Sequence, residues 1–384
     1  MTINIVIGAD ICPTHSNYKL FARADKKALI GEELSGLLDS ADYTLFNLET
    51  PLTDDASPIV KTGPCLIAPI CSIAGLKAIN PHFFTLANNH ILDQGAQGLN
   101  STINILQKAG IAYAGVGPDL QHMQATHVAN VRGIKLGIYC CAEHEFSIAT
   151  DTAPGANPYD PLVSFDSVRE LKKTCDTVVV LYHGGKEHYR YPSPQLQRVF
   201  HKFAECGADL VIAQHTHCIG CMEKYQNATL IYGQGNFLFD GANNEYWQTS
   251  LLVQLQVEEQ TKQIAVKYIP CVKKGTGVRL ADSAQTARIL ADFDGRSQQI
   301  LSREFVKQNY LDFSKKFYAY YLQKASGRLG RNLLVRILNK LTGKKFLTKL
   351  NSRKNLSDMR NLLECESWYE SFLTLLKYYT DTNR

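Results

Sequence analysis

The chain has 384 residues, 45% of them hydrophobic, and a formal net charge of +5. That apolar content suffices for one large core or two smaller ones, and it excludes a disordered or low-complexity chain. The charge is uneven: residues 301–384 carry 17 Lys and Arg against 7 Asp and Glu, a net of +10, which leaves −5 for the first 300 residues and points to different surroundings for the two parts.

The first residues, Met1-Thr2-Ile3-Asn4-Ile5-Val6-Ile7, have neither the basic flank nor the small-residue cleavage site of a secretory signal. Ile3–Ile7 reads as a buried strand that ends on Gly8-Ala9-Asp10, so a carboxylate stands at its carboxyl end. Residues 25–41 have the apolar spacing of a helix, with Leu29, Ile30, Leu34, Leu37 and Leu38 among charges. A second strand, Tyr43–Phe46, runs straight into Asn47-Leu48-Glu49 and again ends on a carboxylate.

A helical segment near 70–78 leads to Phe83-Phe84-Thr85-Leu86 and then to Ala87-Asn88-Asn89-His90-Ile91-Leu92-Asp93-Gln94-Gly95. A plain turn would use Asn and Gly for backbone reasons and has no need of an imidazole. Residues 96–109 return to helical spacing, so the grammar is strand, polar loop, helix, as in an α/β sheet covered by helices. After the strand Ile134–Cys140, a loop rich in Pro, Asn and Asp over 145–165 is long enough to form a rim or lid.

Further strand ends follow the same rule. Thr177–Tyr182 runs into His183-Gly184-Gly185-Lys186-Glu187, Leu210–Ala213 into Gln214-His215-Thr216-His217, and Thr229–Tyr232 into Gly233-Gln234-Gly235-Asn236. Sites in α/β sheets form outside the carboxyl ends of strands, so these tips are expected to converge. Asp10, Glu49, Asn89, His90, His183, His215 and His217 would then form one donor set, suited to manganese, iron or zinc. Taken singly, each has a structural reading: Asp10 as a helix cap, Glu49 as a surface carboxylate, His183 as a hydrogen-bonded strand end. Their joint placement favours a two-ion centre with Glu49 as the bridge.

Together these ordered motifs resemble the bacterial CapA family of capsule and poly-gamma-glutamate synthesis proteins, which looks like a branch of the calcineurin-like metallophosphoesterases. The resemblance covers about residues 1–275 and implies a four-layer α/β/β/α sandwich; beyond it, helical spacing and charge give 276–384 as a helical basic extension. It implies two divalent ions (Mn, Fe or Zn), one on Asp10, Glu49 and His217, the other on Glu49, Asn89, His183 and His215. His90 would stabilise the phosphoryl oxygens or protonate the leaving group as general acid, with Asp93 as its orienter. Asn47, Lys61, Glu187, Arg190 and Asn236 are expected to face substrate. The pattern departs from calcineurin-like enzymes at Cys12, where those place a His; Cys12 is either a substitute thiolate ligand or a buried structural thiol. Cys218-Ile219-Gly220-Cys221 reads as structural.

Strands at 249–256 and 263–269 look like a closing pair, and helical patterns follow at 282–325 and 355–379. Between Lys315 and Arg360 there are 13 basic residues and one acidic residue, Asp358. Leu333, Leu334, Ile337, Leu338 and Leu341 form an apolar stripe beside Arg331, Arg336, Lys340 and Lys344. Such a segment is either a membrane-surface element, for which 326–354 is the expected contact, or a packed helix with a solvated basic face. No nucleic-acid recognition motif accompanies the charge.

The expected function is dinuclear metal-dependent hydrolysis of a phosphoester or phosphoanhydride in capsule or surface polysaccharide synthesis, on an anionic phosphorylated substrate or polymer. Two alternatives stand beside it: a non-hydrolytic protein using the metal site to bind an anionic polymer during assembly or export, and an amide hydrolase on a poly-gamma-glutamate-like chain. Eleven scattered cysteines and no apolar run of membrane-spanning length point to the cytoplasm, with peripheral attachment at the inner membrane face.

Overall fold

The computed structural model describes residues 1–381 other than Ala242 and Lys344; the expected contribution of Lys344 to the basic stripe lies outside the described residues. Two compact units divide the chain, Met1–Lys307 and Gln308–Arg384.

The first unit holds two main sheets. One runs in the order Gly277–Leu280, Ile264–Lys274, Thr249–Glu258, Thr2–Cys12, Tyr43–Leu48, Phe83–Thr85, Ala112–Ala114, with Asn236–Phe239 also pairing with Thr2–Cys12. The other runs Met222–Tyr225, Ala228–Ile231, Leu210–Gln214, Thr177–His183, Ile134–Ala142, Thr126–Val131. The central strands pair in parallel, the edge strands mostly antiparallel.

Alternation along the second sheet explains the layering. Leu136, Ile138, Val179, Leu181, Leu210 and Ile212 join one core with strand residues of the first sheet such as Ile5, Ile7 and Leu45. The intervening residues Tyr139, Val178, Val180 and Val211 join another, under the helices Ser164–Thr174 and Pro194–Glu205. Successive side chains leave a strand on opposite faces, so a strand buried on both reads as a continuous apolar run. The first sheet's outer face is covered by the helices Lys26–Asp39, Ile73–Ala78 and Gly95–Ala109 through Leu34, Leu76 and Leu106. The result is the expected helix, sheet, sheet, helix sandwich.

The compact unit reaches further than the expected division at residue 275. The strand Gly277–Leu280 extends the first sheet, and the helix Ser283–Gln299 buries Ile289 and Phe293 against Ile219 and Leu251. Ile300 and Val306 complete the second core. The second unit consists of the rest of the helix Arg303–Ala325, then Gly327–Arg331, Leu333–Leu341, Phe346–Leu350, Arg353–Glu364 and Glu366–Asp381. Among the described residues no helix is long and apolar enough to cross a membrane.

Candidate metal centre

Parallel pairing brings the polar strand ends to one edge. Asp10 is in register with Asn47 on one side and Asn236 on the other, and Gln214, the residue before His215, is opposite His183. Glu49 follows its strand directly, and Asn88 to His90 follow Phe83–Thr85.

Three potential ligand atoms, from Glu49, His215 and His217, lie within 4.8 Å of one another, as do those of Asp10, Glu49 and His183. Glu49 is common to both groups. The partition differs from the one the resemblance implies: Asp10 groups with His183 and His215 with His217. Nδ1 of His217 donates to Asn236 Oδ1 at 2.9 Å and stands 3.8 Å from Asp10. Asn89 sits on the His183 side, its Oδ1 3.0 Å from His183 Nε2. The other ring nitrogen of His183 lies 3.2 Å from Asn47 Nδ2, which also donates to Asp10 Oδ1 at 2.9 Å.

The donor set fits a cation. Both carboxylate oxygens of Glu49 are fully buried without a hydrogen-bond partner, and Nδ1 of His215 is likewise unpartnered. Leaving a buried charge unpaired costs several kcal/mol, and the His183 ring, 3.5 Å from Glu49, does not make a hydrogen bond at that distance. Burial, and then the neighbouring Glu49 carboxylate, push Asp10 up to about 6. Burial opposes ionisation of Glu49 too, but His183 and His217 outweigh it and hold that carboxyl below its usual value. Burial works against the His217 cation, yet Glu49 and Asp10 raise its pKa; burial and the other histidines lower that of His215. Two carboxylates and three imidazoles packed this closely call for added positive charge.

The backbone is shaped for the same purpose. His215 and His217 have φ of 81° and 53°, in the left-handed region that non-glycine residues enter at a cost of about 1–3 kcal/mol. The His215 amide donates to Asp10 Oδ2 at 3.1 Å, which ties this strained turn to the first strand.

His90 and Asp93 are in contact: His90 Nδ1 donates to Asp93 Oδ2 at 2.5 Å. Asn88 is structural, donating to Asn47 Oδ1 and the Leu48 carbonyl and accepting from the His90 amide. Of the residues expected to face substrate, Asn47, Lys61 and Asn236 have buried side chains, and Arg190 is held by its neighbours while its side chain stays 24% exposed. Asn47 is fully buried between Asp10, His183 and Asn88. Lys61 is not an open cation: its side chain is 2% exposed and its Nζ is 2.5 Å from Asp93 Oδ1. Arg190 donates to the Ile219 carbonyl at 2.9 Å and lies over the Tyr246 ring. Asn236 orients His217. Glu187 is half exposed, 3.9 Å from His215 Nε2. Cys12 is buried, belongs to neither donor group, and has its thiol pKa pushed well up by burial and Glu49. Cys218 and Cys221 are free and buried, the former with its thiol pushed up to about 11 by burial.

Sequence reasoning misses Glu145, whose carboxylate accepts from Asn89 Nδ2 at 2.5 Å. It also misses the aromatic wall beside His217, where the Trp247 ring is 5.0 Å away and donates through Nε1 to His188. Glu145 is the only glutamate of the 145–165 loop, but nothing in the sequence brings it to Asn89, 56 positions away.

A family profile described as bacterial capsule synthesis protein PGA_cap matches residues 4–241, a span that includes every residue of the two donor groups. The chain is 29% identical over 216 residues to the capsule biosynthesis protein CapA of Bacillus anthracis, covering 54% of this chain and 53% of that protein. It is 30% identical over 212 residues to the PGA biosynthesis protein CapA of Bacillus subtilis, covering 52% and 54%. The chain thus spans about half the length of these curated relatives. Among solved structures, a novel phosphatase of Mycoplasma pneumoniae overlaps with a TM-score of 0.45 and 16% identity, covering 75% of this chain and 97% of that one. A 5'-nucleotidase precursor from Thermus thermophilus overlaps with a TM-score of 0.40 and 14% identity, covering 76% and 58%. On the extent of the profile match, the chain belongs to the bacterial capsule synthesis protein family PGA_cap.

Proposed function

We propose that the protein is a dinuclear metal-dependent hydrolase of a phosphoester or phosphoanhydride, acting in capsule or surface polysaccharide synthesis. The observation that carries the reading is Glu49, a buried carboxylate with both oxygens unpartnered and shared by two clusters of ligand atoms. Asp10, Glu49, Asn89, His183, His215 and His217 are the residues that would hold two ions. When bound, such ions neutralise charge developing on phosphoryl oxygens and lower the pKa of a nucleophilic water.

The remaining work falls to this chain's own side chains. Asp93 holds the His90 ring by Nδ1, which leaves Nε2 as the atom that gives a proton to a leaving-group oxygen. Lys61 neutralises the other Asp93 oxygen, so that carboxylate stays committed to orientation. Glu145 turns the Asn89 amide so that its oxygen faces His183. Trp247 packs against His217 and limits the freedom of that ring.

The PGA biosynthesis named for the Bacillus subtilis relative favours a second reading, in which ions held by the same residues would polarise the amide carbonyl of a poly-gamma-glutamate-like chain. Manganese-dependent hydrolysis of an aryl phosphate, compared between the protein and its His183→Ala variant, separates the two. Turnover lost in the variant supports phosphoester hydrolysis. Two bound metals with no phosphoester turnover would move the assignment to the amide, and to a non-hydrolytic polymer-binding role if polyglutamate is also left intact.

A further inference from the structure

The helix Leu333–Leu341 is turned inside out. At 100° per residue, Leu333, Leu334, Ile337, Leu338 and Leu341 occupy an arc of about 140°, and all five are exposed, Leu333 by 68% and Leu341 by 77%. The opposite face is the buried one: Asn339 is 8% exposed and accepts from the Leu347 amide with its Oδ1, and Val335 beside it is half-buried. The helix is therefore fastened by a polar residue while its leucines face outward, the reverse of what packing in water selects.

The surrounding charge is of one sign. Arg331, Arg336, Lys340, Lys345 and Lys349 are all exposed, and the chain has no acidic residue between Lys315 and Asp358. Arg336 and Lys340 project from the edge of the apolar arc. An outward apolar face bordered by cations matches an anionic lipid surface, where leucines enter the acyl boundary and cations meet headgroup phosphates. A protein partner would need a dense acidic patch around an apolar groove. The aromatic helix Glu366–Asp381 lacks the charge, carrying Glu366, Glu370 and Asp381 against Lys377.

We infer that residues 331–350 form an interfacial docking element for anionic bilayers, with the helix Leu333–Leu341 lying in the plane of the headgroups. The inference is independent of the metal centre. It is tested by flotation of the full chain with vesicles of phosphatidylcholine alone or with about a third phosphatidylglycerol, at low and high salt. Two variants, Leu334→Glu/Leu338→Glu and Arg336→Glu/Lys340→Glu, change exposed positions only, and circular dichroism confirms their fold. The expected result is binding to anionic vesicles alone, weakened by salt and lowered about tenfold or more in each variant. Absence of binding, equal binding to neutral vesicles, or binding unchanged in both variants would overturn it. So would a dimer in solution that the leucine variant dissociates while no vesicles are bound, since the face would then belong to a second copy.

Discussion

Asn89 Nδ2 donates to the Glu145 carboxylate at 2.5 Å, which turns the amide oxygen of Asn89 toward His183, 3.0 Å away. An amide has two ends of similar shape, and only its partners decide which end faces a ligand. Groups that orient metal ligands fix the ligands' direction and so contribute to metal affinity. Glu145→Ala should therefore lower manganese affinity by about 10- to 100-fold in isothermal titration, with the unfolding temperature of the metal-free protein little changed. Glu145→Gln, which keeps an acceptor oxygen, should retain most of the affinity. Equal binding by the alanine variant would show that Asn89 is oriented by something else.

Lys61 and Asp93 form a pair with side chains 2% and 0% exposed. Removing one partner of such a pair strands the other charge, at a cost of about 3–5 kcal/mol. Lys61→Met should lose stability of that order in urea unfolding, and it should also reduce turnover because Asp93 loses its fixed position behind His90. A loss of turnover with stability intact would contradict a structural role for the pair.

Glu49 is kept ionised against its burial by His183 and His217, while both of its carboxylate oxygens lack a hydrogen-bond partner and so are open to a cation. In the native protein, saturating metal at about 100 times its Kd should add about 2.7 kcal/mol, and the Glu49→Gln variant should lose most of that increment. Differential scanning calorimetry with and without manganese reads this increment, and a Glu49→Gln protein that still gains it in full would remove Glu49 from the centre.

Acid stability depends on histidines whose pKa burial lowers, His215 at the centre and two others away from it. His127 stacks on Phe83 with ring centroids 5.1 Å apart and reaches the Tyr43 hydroxyl at 3.3 Å, and burial lowers its pKa. His82, beside the same tyrosine, is lowered for the same reason. A group with a depressed folded pKa favours the neutral form in the fold. Its contribution is present above the unfolded value, about 6.5, and is lost as pH falls through the lower folded value. The melting temperature should thus decline below about pH 6.5, and His127→Gln should flatten that decline. An unchanged slope would assign the acid lability elsewhere.

The sandwich was legible because its strands are buried on both faces, so Ile5–Ile7 and Val178–Tyr182 announce themselves as continuous apolar runs. The convergence of Asp10, Glu49, Asn89, His183, His215 and His217 was legible because strand ends in such sheets meet, whatever the loops between them do. What escaped is set by contact across long separations. Lys61 reads as a loop cation, and only the fold shows it meeting Asp93 under the ring of Phe146. Asn47 and Asn236 flank the ligand motifs and look available to substrate, yet strand pairing directs both onto Asp10 and His217. The division at 275 failed to anticipate Gly277–Leu280 because four residues are too few to show a period, whereas pairing with Ile264–Lys274 identifies them at once.

The most direct test of the two-ion centre is anomalous diffraction from crystals of the protein grown with manganese. Two peaks are expected, both within ligand distance of the Glu49 carboxylate, one on the side of Asp10 and His183 and one on the side of His215 and His217. A single peak, or two peaks that do not share Glu49, would contradict it.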